Sequence, residues 1–241
     1  MGTVFRIDEI KRALAVMAHP DDVDFSAAGL VAQLTDAGAE VTYCLVSDGQ
    51  AGGFDRSIER STMAGIRREE QTKAAAELGV SDLIFLGRMD GEVTFDLTLR
   101  HDITRAIRQV RPQIVITHPP EIHVASVYGS HADHVATGQA AWAAVYPDSR
   151  NPFAFPELLT SGLEPWYVDE IWIIHHPNSN VTLDITDQFD RKIRALRCHV
   201  SQHERPDEME ASVRVWNTAN AELGGLEEGR YAERFFVTDA R

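Results

Sequence analysis

The stretch Ala13–Asp22, with the sequence ALAVMAHPDD, contains the clearest strand of the chain and, directly after it, a cluster of polar residues. Its first six residues are small or apolar without alternation, which is typical of a strand buried on both faces of a parallel sheet. A helical pattern follows, and Gly38 stands where that helix would end. The apolar residues at helical spacing are Ala27, Leu30, Val31 and Leu34. The stretch therefore predicts a strand, a polar turn and a helix, in that order.

The same alternation of short apolar runs and longer helical patterns continues along the chain. Further strands are predicted at Val41–Val46, Leu83–Leu86, Ile114–Thr117 and Ile171–Ile174. Further helices are predicted at Arg56–Leu78, Leu97–Val110 and Asp133–Tyr146, and one more from the apolar face of Ile185, Phe189, Ile193, Leu196 and Val200. This order predicts an α/β fold, a Rossmann-like, doubly wound, mostly parallel sheet with helices on both faces. In such sheets, ligands bind beyond the carboxyl ends of the strands.

The pattern predicts one domain rather than two. We expect residues 1–241 to form a single unit, with a Rossmann-like core at about 10–147 and a C-terminal part, 148–241, that completes the sheet edge and the pocket. The stretch Pro147–Pro165 has four prolines with apolar residues between them, which favours a structured, irregular loop over a linker. No pattern assigns the structure of Arg205–Arg241.

The composition is that of a globular protein with an acidic surface. The 241 residues are 44% hydrophobic and 25% charged, which argues against disorder, collagen-like structure and a coiled coil. With 23 Lys and Arg against 37 Asp and Glu, the formal net charge is −14, which disfavours nucleic acid and anionic membranes as partners. Met1–Ile10 has no apolar leader, and no apolar stretch reaches the roughly 20 residues of a membrane span. We therefore expect a cytoplasmic protein with a small-molecule partner; a homo-oligomer is compatible with the sequence.

The first polar cluster consists of His19, Asp21, Asp22 and Asp24, directly after the first predicted strand. Carboxylates at a helix N-terminus are expected for capping, but capping explains one aspartate better than three. His19 and Asp22 are three residues apart in a turn, so both side chains could face one cation. An imidazole nitrogen and a carboxylate oxygen are ordinary zinc ligands, and the cluster is thus a candidate metal site.

The second polar cluster consists of His131, Asp133 and His134, at the start of the predicted helix Asp133–Tyr146. The two histidines are three residues apart and share one side of a turn, and Asp133 could hold one imidazole by its other N–H. Any one of these histidines could instead be solvated or hydrogen bonded. If the strands before the two clusters are neighbours, three ligands and an open position result, as in catalytic zinc sites. That ligand set would be His19, Asp22 and His134.

Together, the motifs His19–Asp22 and His131–His134 resemble those of the PIG-L / LmbE-like family of metal-dependent N-deacetylases. The second helix and the next strand of that family are matched by Ile66–Glu70, Leu78–Val80 and Phe85–Gly87. The chain departs from the family at Val23, where the family often has glutamate. That glutamate is not a metal ligand in the family, so the departure leaves the expected metal site intact.

The resemblance implies a role for each residue of the two motifs. The implied zinc ligands are His19, Asp22 and His134. Asp21 resembles the general base that takes a proton from water, although it could instead only anchor His19. His131 resembles the imidazolium that stabilises the oxyanion or protonates the leaving amine. Asp133 would orient and charge His131.

Three further residues are candidates for the pocket. Arg67 matches a family arginine that contacts substrate oxygens, but a charged helix face is an equally ordinary meaning of an arginine there. Asp90 could bind sugar hydroxyls, although Asp90-Gly91 is first of all a turn sequence. His118 follows a strand at the edge where ligands bind, so it could line the pocket or be a hydrogen-bonded loop residue.

The resemblance implies a zinc-dependent N-deacetylase that removes the acetyl group from an N-acetylglucosamine-type conjugate or a related small molecule, and the types of these residues are consistent with that chemistry. Fe²⁺ and Co²⁺ accept similar ligands and are alternatives to Zn²⁺. Two other functions stay open: an amidase for a larger acyl group on a glucosaminyl amide, and a non-catalytic carbohydrate- or nucleotide-binding protein of the same fold. A dinucleotide-dependent enzyme is disfavoured, because no G-x-G-x-x-G sequence follows the first strand.

Overall fold

A single seven-stranded sheet forms the centre of the molecule, as seen in a computed structural model that describes residues 6–125, 127 and 130–241. The strands are β1 (Arg12–Met17), β2 (Glu40–Ser47), β3 (Asp82–Arg88), β4 (Ile114–Thr117), β5 (Glu170–Ile174), β6 (Val181–Asp184) and β7 (Ala232–Asp239). Their order is β3-β2-β1-β4-β5-β7-β6. The first five are parallel, and β7 is antiparallel to both β5 and β6. The predicted α/β fold with a mostly parallel sheet is confirmed.

Helices cover both faces of the sheet. They are α1 (Asp22–Asp36), α2 (Arg60–Glu77), α3 (Leu97–Val110), α4 (Ala132–Val145), α5 (Pro156–Thr160), α6 (Phe189–Arg197) and α7 (Pro206–Leu223). Successive residues of β1 pack on opposite faces of the sheet, and this explains why apolar and polar residues do not alternate in its sequence. Ala13, Ala15 and Met17 pack with residues of α1 and α2, whereas Leu14 and Val16 pack with α3 and α4. Both faces of β1 are therefore buried.

Two of the predicted helices have different bounds in the structure. The helix expected from Arg56 begins at Arg60, because the carboxylate of Asp55 accepts hydrogen bonds from the N–H and hydroxyl of Ser57 and forms a turn there. The helix expected from Ile185 to Val200 is limited to Phe189–Arg197. Ile185 is buried, but it follows β6 and precedes a short 3₁₀ turn, so its apolar side chain belongs to the core without belonging to the helix.

The C-terminal part contains structure that the sequence did not assign. The stretch Pro147–Pro165 includes the short helix α5, and the tail from Arg205 contains α7 and β7. β6 was also missed. None of the helices in the described ranges combines the length and the hydropathy that crossing a membrane requires. Met1–Phe5, the first half of the N-terminal segment considered above, lies outside the described residues.

Candidate active site

The two polar clusters meet at the carboxyl edge of the sheet, where β1 and β4 lie side by side. These strands pair in parallel, from Ala13 opposite Ile114 to Val16 opposite Thr117. β1 leads into α1, and β4 leads toward α4, whose N-cap residue is His131. The strand order reverses between β1 and β4, and a doubly wound sheet binds its ligands at such a point. Residues that are far apart in sequence are therefore brought together here.

The three side chains expected to bind metal form a compact triangle. Nδ1 of His19 lies 3.2 Å from Nε2 of His134 and 3.4 Å from Oδ2 of Asp22. Nε2 of His134 lies 3.2 Å from Oδ1 of Asp22. Ligands about 2.0–2.1 Å from a tetrahedral zinc ion are separated from each other by about 3.3 Å, so each of these distances is close to a separation between zinc ligands. The two distances to Asp22 are made by different oxygens of its carboxylate.

The charge around His19 also fits a cation. Its Nε2 lies 3.2 Å from Oδ1 of Asp90 and 3.2 Å from Oδ2 of Asp133, while Asp22 approaches Nδ1. Burial alone would lower the pKa of His19, but these three carboxylates outweigh it and raise the pKa to about 12. For Asp22, burial is likewise outweighed by His134, His118 and His19, which hold the pKa well below its usual range. A cluster so rich in carboxylates stabilises positive charge, which a divalent cation would supply.

His118 is a fourth imidazole of this cluster. It is buried, its Nε2 lies 3.1 Å from Oδ2 of Asp22, and its ring stacks on His134 with centroids 4.1 Å apart. Burial and the neighbouring His134 lower the pKa of His118 to about 3, so the ring is neutral at pH 7. The backbone N–H of Ala18 donates to the same Nε2 over 3.1 Å. Three overlapping sets have ligand atoms within 4.8 Å of one another: His19/His131/His134, Asp22/His118/His134 and His19/Asp90/Asp133.

Asp21 is held at the edge of this cluster in a left-handed backbone conformation, with φ of 92°. Its backbone N–H donates to Oε1 of Gln71 over 2.8 Å, and its Oδ2 accepts from Nη2 of Arg67 over 3.0 Å. Burial raises the pKa of Asp21, and the Arg67 guanidinium opposes that rise. One carboxylate oxygen is therefore fixed by Arg67, and the other, Oδ1, is not used in that ion pair.

Arg67 is more constrained than the sequence predicts. Besides Asp21, it donates to the backbone oxygens of Gly49, over 2.8 Å, and Pro20. It is 4% exposed, so it is not part of a solvated helix face. Arg67 lines the pocket, but in the described structure its guanidinium serves first to hold Asp21.

Gln71, which accepts the N–H of Asp21, belongs to a buried hydrogen-bond network that the sequence did not reveal. Nε2 of Gln71 donates to Oδ2 of Asp24 over 2.8 Å, and Nε2 of His199 lies 2.9 Å from the same oxygen. All three side chains are buried. Asp24 was visible in the first motif, but Gln71 and His199 lie in other parts of the chain, and neither belongs to a motif whose spacing points to the site.

The contacts of Asp133 correct its expected role. Its carboxylate approaches His19 rather than His131, and Gly91 and Val93 donate their backbone N–H groups to it over 2.7 and 3.2 Å. The contact with His131 is made by the backbone: the N–H of Asp133 donates to Nδ1 of His131 over 3.2 Å. The reason is that His131 caps α4, which turns its Nδ1 toward the first N–H groups of the helix. Asp133 thus orients the presumed ligand His19, as carboxylates do for histidines in many zinc sites.

The hydrogen bond from the N–H of Asp133 to Nδ1 of His131 indicates which ring nitrogen of His131 carries the proton. Because Nδ1 accepts a hydrogen bond, the proton of the neutral ring is on Nε2. Burial, His19 and His134 lower the pKa of His131, which favours the neutral ring. The contact is compatible with a neutral ring that carries its proton on Nε2, and the imidazolium role of His131 stays a prediction.

A cavity of about 360 Å³ opens over these residues, within the size range of small-molecule sites. It is lined by His19, Asp21, Ala51, Gly52, Arg67, Asp90, Gly91, His131, His134 and Gln202. Asp90 lines it, but its two oxygens are occupied: Oδ1 by His19, and Oδ2 by the backbone N–H of Ala51 over 3.0 Å. Its predicted role as a substrate ligand would therefore require it to share these contacts.

The chain is similar to known deacetylases of amino sugars. The family model described as PIG-L, GlcNAc-PI de-N-acetylase, matches residues 14–145. A diacetylchitobiose deacetylase of Thermococcus kodakarensis is 31% identical over 233 residues, which cover 95% of this chain and 85% of the relative. A probable N-acetyl-alpha-D-glucosaminyl L-malate deacetylase 2 of Bacillus cereus is 33% identical over 201 residues, which cover 80% of this chain and 84% of the relative.

A solved structure shows the same arrangement of elements. The N,N'-diacetylchitobiose deacetylase from Pyrococcus horikoshii, in complex with its inhibitor MPG, superposes with a TM-score of 0.89 and 30% identity. The match covers 97% of this chain and 86% of that protein.

Proposed function

The chain belongs to the PIG-L family of GlcNAc-PI de-N-acetylases, and from this membership we propose that it is a zinc-dependent hydrolase that removes the acetyl group from an N-acetylglucosamine-type conjugate. The observation that carries the proposal is the triangle of His19, Asp22 and His134, with sides of 3.2–3.4 Å, beside the carboxylate of Asp21 in one cavity. The relatives are named as deacetylases of diacetylchitobiose and, as a probable activity, of N-acetyl-alpha-D-glucosaminyl L-malate, and both of these are small N-acetylated sugars.

In this proposal, the protein side chains position the amide and move the protons. A bound divalent ion would supply the Lewis acidity that polarises the acetyl carbonyl and lowers the pKa of water to about 7. Asp21 accepts the proton of the attacking water on Oδ1, because its Oδ2 is held by Arg67. His131 donates from Nε2 to the oxyanion that forms, since its Nδ1 is occupied by the helix backbone.

The proton balance follows from these assignments. Water gives one proton to Asp21 and its oxygen to the acetyl carbon, and the C–N bond breaks. The departing amine nitrogen takes the proton back from Asp21. The products at this point are acetic acid and the free amine, and Asp21 returns to its ionised form. The acid then gives its remaining proton to the more basic amine, which leaves acetate and the protonated amino sugar.

The test is release of free amine from a panel of substrates. The purified protein is incubated with N,N'-diacetylchitobiose, N-acetylglucosaminyl malate, N-acetylglucosaminyl inositol and the N-butyryl analogue of each. We expect amine release from at least one acetyl substrate, its loss after treatment with a chelator, and its recovery with Zn²⁺, Fe²⁺ or Co²⁺. Faster release from the butyryl analogues would indicate an amidase for larger acyl groups. Binding of the sugars without amine release, in protein loaded with metal, would contradict the proposed enzyme and favour a binding protein.

A further inference from the structure

One wall of the cavity comes from the C-terminal part of the chain, outside the region matched by the family model. Gln202 ends a 3₁₀ turn, Val200–Gln202, that follows α6. The side chains of Gln202 and Arg67 both approach the backbone of Gly52. A Cβ atom built on Gly52 would lie only 2.5 Å from Oε1 of Gln202 and 2.6 Å from Nη1 of Arg67. Glycine at position 52 therefore allows the amide and the guanidinium to approach the loop backbone at the cavity.

The turn that presents Gln202 is firmly attached to the helices of the site. The backbone N–H and the hydroxyl of Ser201 both donate to the carboxylate of Glu70, each over 2.7 Å. Glu70 lies on α2, one turn after Arg67. His199 binds the buried Asp24 of α1, and the N–H of Gln202 donates to the carbonyl of His199 over 3.0 Å. These contacts give the turn the rigidity that a recognition element needs.

The same contacts define which end of the Gln202 amide faces the cavity. The hydroxyl proton of Ser201 is directed to Glu70, so its oxygen is left to accept a hydrogen bond. Nε2 of Gln202 donates to that oxygen over 2.8 Å. Oε1 is therefore the end that lies over Gly52, and among the described residues none donates a hydrogen bond to it. The cavity thus contains an oriented acceptor, Oε1, next to the cationic Arg67.

We infer that Gln202 determines substrate specificity by accepting, at Oε1, a hydrogen bond from a sugar hydroxyl of the substrate. A hydroxyl both donates and accepts, so it matches an acceptor and a guanidinium that lie side by side. The acetamide group also carries a donor, its N–H, and an acceptor, its C=O. A substrate with sugar hydroxyls and an acetamide without them are therefore compared below, because this comparison distinguishes a contact with the sugar from a contact with the bond that breaks. The inference rests on the proposed function, because it concerns the same cavity and the same class of substrate.

The test compares the wild type with Gln202→Met, which keeps the length of the side chain but removes its polar atoms. KM is measured for N,N'-diacetylchitobiose and for N-cyclohexylacetamide, an acetamide whose ring carries no hydroxyl. Losing one neutral hydrogen bond should raise KM for the sugar about 3- to 10-fold. The value of kcat for the sugar, kcat/KM for N-cyclohexylacetamide and the zinc content should stay unchanged. Val200→Ala, in the same turn but 67% exposed, is the matched control and should change neither constant.

Calorimetric binding of chitobiose, the deacetylated sugar, gives a second measurement that does not depend on turnover. We expect its dissociation constant to rise in Gln202→Met by the same factor as KM. If the wild type deacetylates the sugar and Gln202→Met has equal constants, the role of Gln202 is wrong and the proposed function stands. An equal loss of kcat/KM for both acetamides would also contradict a role in reading the sugar. If the wild type neither binds nor deacetylates any glucosaminide, both the role of Gln202 and the function are wrong.

Discussion

Asp21 shows how single residues are arranged for chemistry. Its left-handed backbone conformation costs on the order of 1–3 kcal/mol, and such strain persists only where the surroundings enforce it. Here Gln71 holds the backbone N–H, and Arg67 holds one carboxylate oxygen. The strain directs the carboxylate toward the cavity that His19 and His134 also line. Asp21 is thus fixed in place before a substrate binds.

Asp21→Asn should lower kcat by about 10²- to 10⁴-fold, because the amide cannot accept the proton of the attacking water. The zinc content should remain that of the wild type, since the metal is assigned to other side chains. Amine release and metal analysis by mass spectrometry on the same samples measure the two effects. Asp187→Asn, an exposed carboxylate away from the cavity, serves as the control. Loss of zinc from Asp21→Asn would show that Asp21 is a ligand instead of the base.

The presence of His118 makes the ligand assignment testable. His19→Ala should lose most of its zinc, because it removes one corner of the triangle with sides of 3.2–3.4 Å. His118→Ala should retain most of its zinc, because Nε2 of His118 already accepts the N–H of Ala18. Zinc per chain, measured after dialysis against a weak chelator, compares the two variants. The reverse result would assign the metal to Asp22, His118 and His134.

From the sequence, the side chains that the fold brings together were easier to select than the contacts that they make. His19, Asp22 and His134 could be grouped because the first two come directly after β1, His134 lies at the start of the helix after β4, and all three have the chemistry of a metal ligand. Gln71, His199 and Gln202 could not, because their roles depend on the packing of α2 and α6 against α1. The contacts of Asp133 could not be predicted either. Its backbone N–H donates to Nδ1 of His131 at the start of α4, and its carboxylate contacts His19.

Among the elements, the strands of the parallel core were the easiest to predict. β1, β2 and β4 are buried on both faces, so apolar runs mark them directly. β6 is half-buried along its length, and β7 pairs with β5 and β6 over long sequence separations. Their local sequences therefore carry a weaker signal. The helix α3 was predicted at its observed bounds, and the carboxylate of Asp96 fixes its start by accepting the N–H of Leu99 over 2.7 Å.

Asp96→Ala should destabilise the protein by about 0.5–2 kcal/mol at pH 7, because the first turn of α3 loses its cap. The hydrogen bond from Leu99 lowers the pKa of Asp96 in the folded state. The stabilisation by the ionised cap is therefore complete above the unfolded pKa of about 3.9 and is lost as the pH falls through the lower folded pKa. Urea unfolding at pH 7 and at progressively lower pH measures this. Asp96→Asn keeps a neutral acceptor and should show less pH dependence; equal stability of Asp96→Ala and wild type at pH 7 would exclude the cap.

At the scale of the whole molecule, the C-terminal part is joined to the site-bearing core by a buried ion pair. Nζ of Lys192, on α6, lies 2.8 Å from Oε1 of Glu233, on β7, and both side chains are almost completely buried. Glu233 accepts the backbone N–H groups of Gly29 and Leu30, and Lys192 donates to the carbonyl of Phe25. Phe25 and Gly29 lie one turn apart in α1. The N–H of Gly29 and the carbonyl of Phe25 therefore both have hydrogen-bond partners in the C-terminal part.

This arrangement predicts that the core and the C-terminal part unfold together. Lys192→Met and Glu233→Gln should each destabilise the protein by about 3–5 kcal/mol, because each leaves a buried charge without its partner. The double variant should be much less unstable than the sum of the two, since it removes both charges. Urea unfolding, followed by far-ultraviolet circular dichroism and by tryptophan fluorescence, should give one coincident transition in each protein. The exposed pair Arg205 and Glu208 provides a control cycle, with a coupling of about 0.2–1 kcal/mol. Two separate transitions would mean that α1 and the active site fold independently of the C-terminal strands. Additive losses at Lys192 and Glu233 would mean that the two buried charges do not stabilise each other.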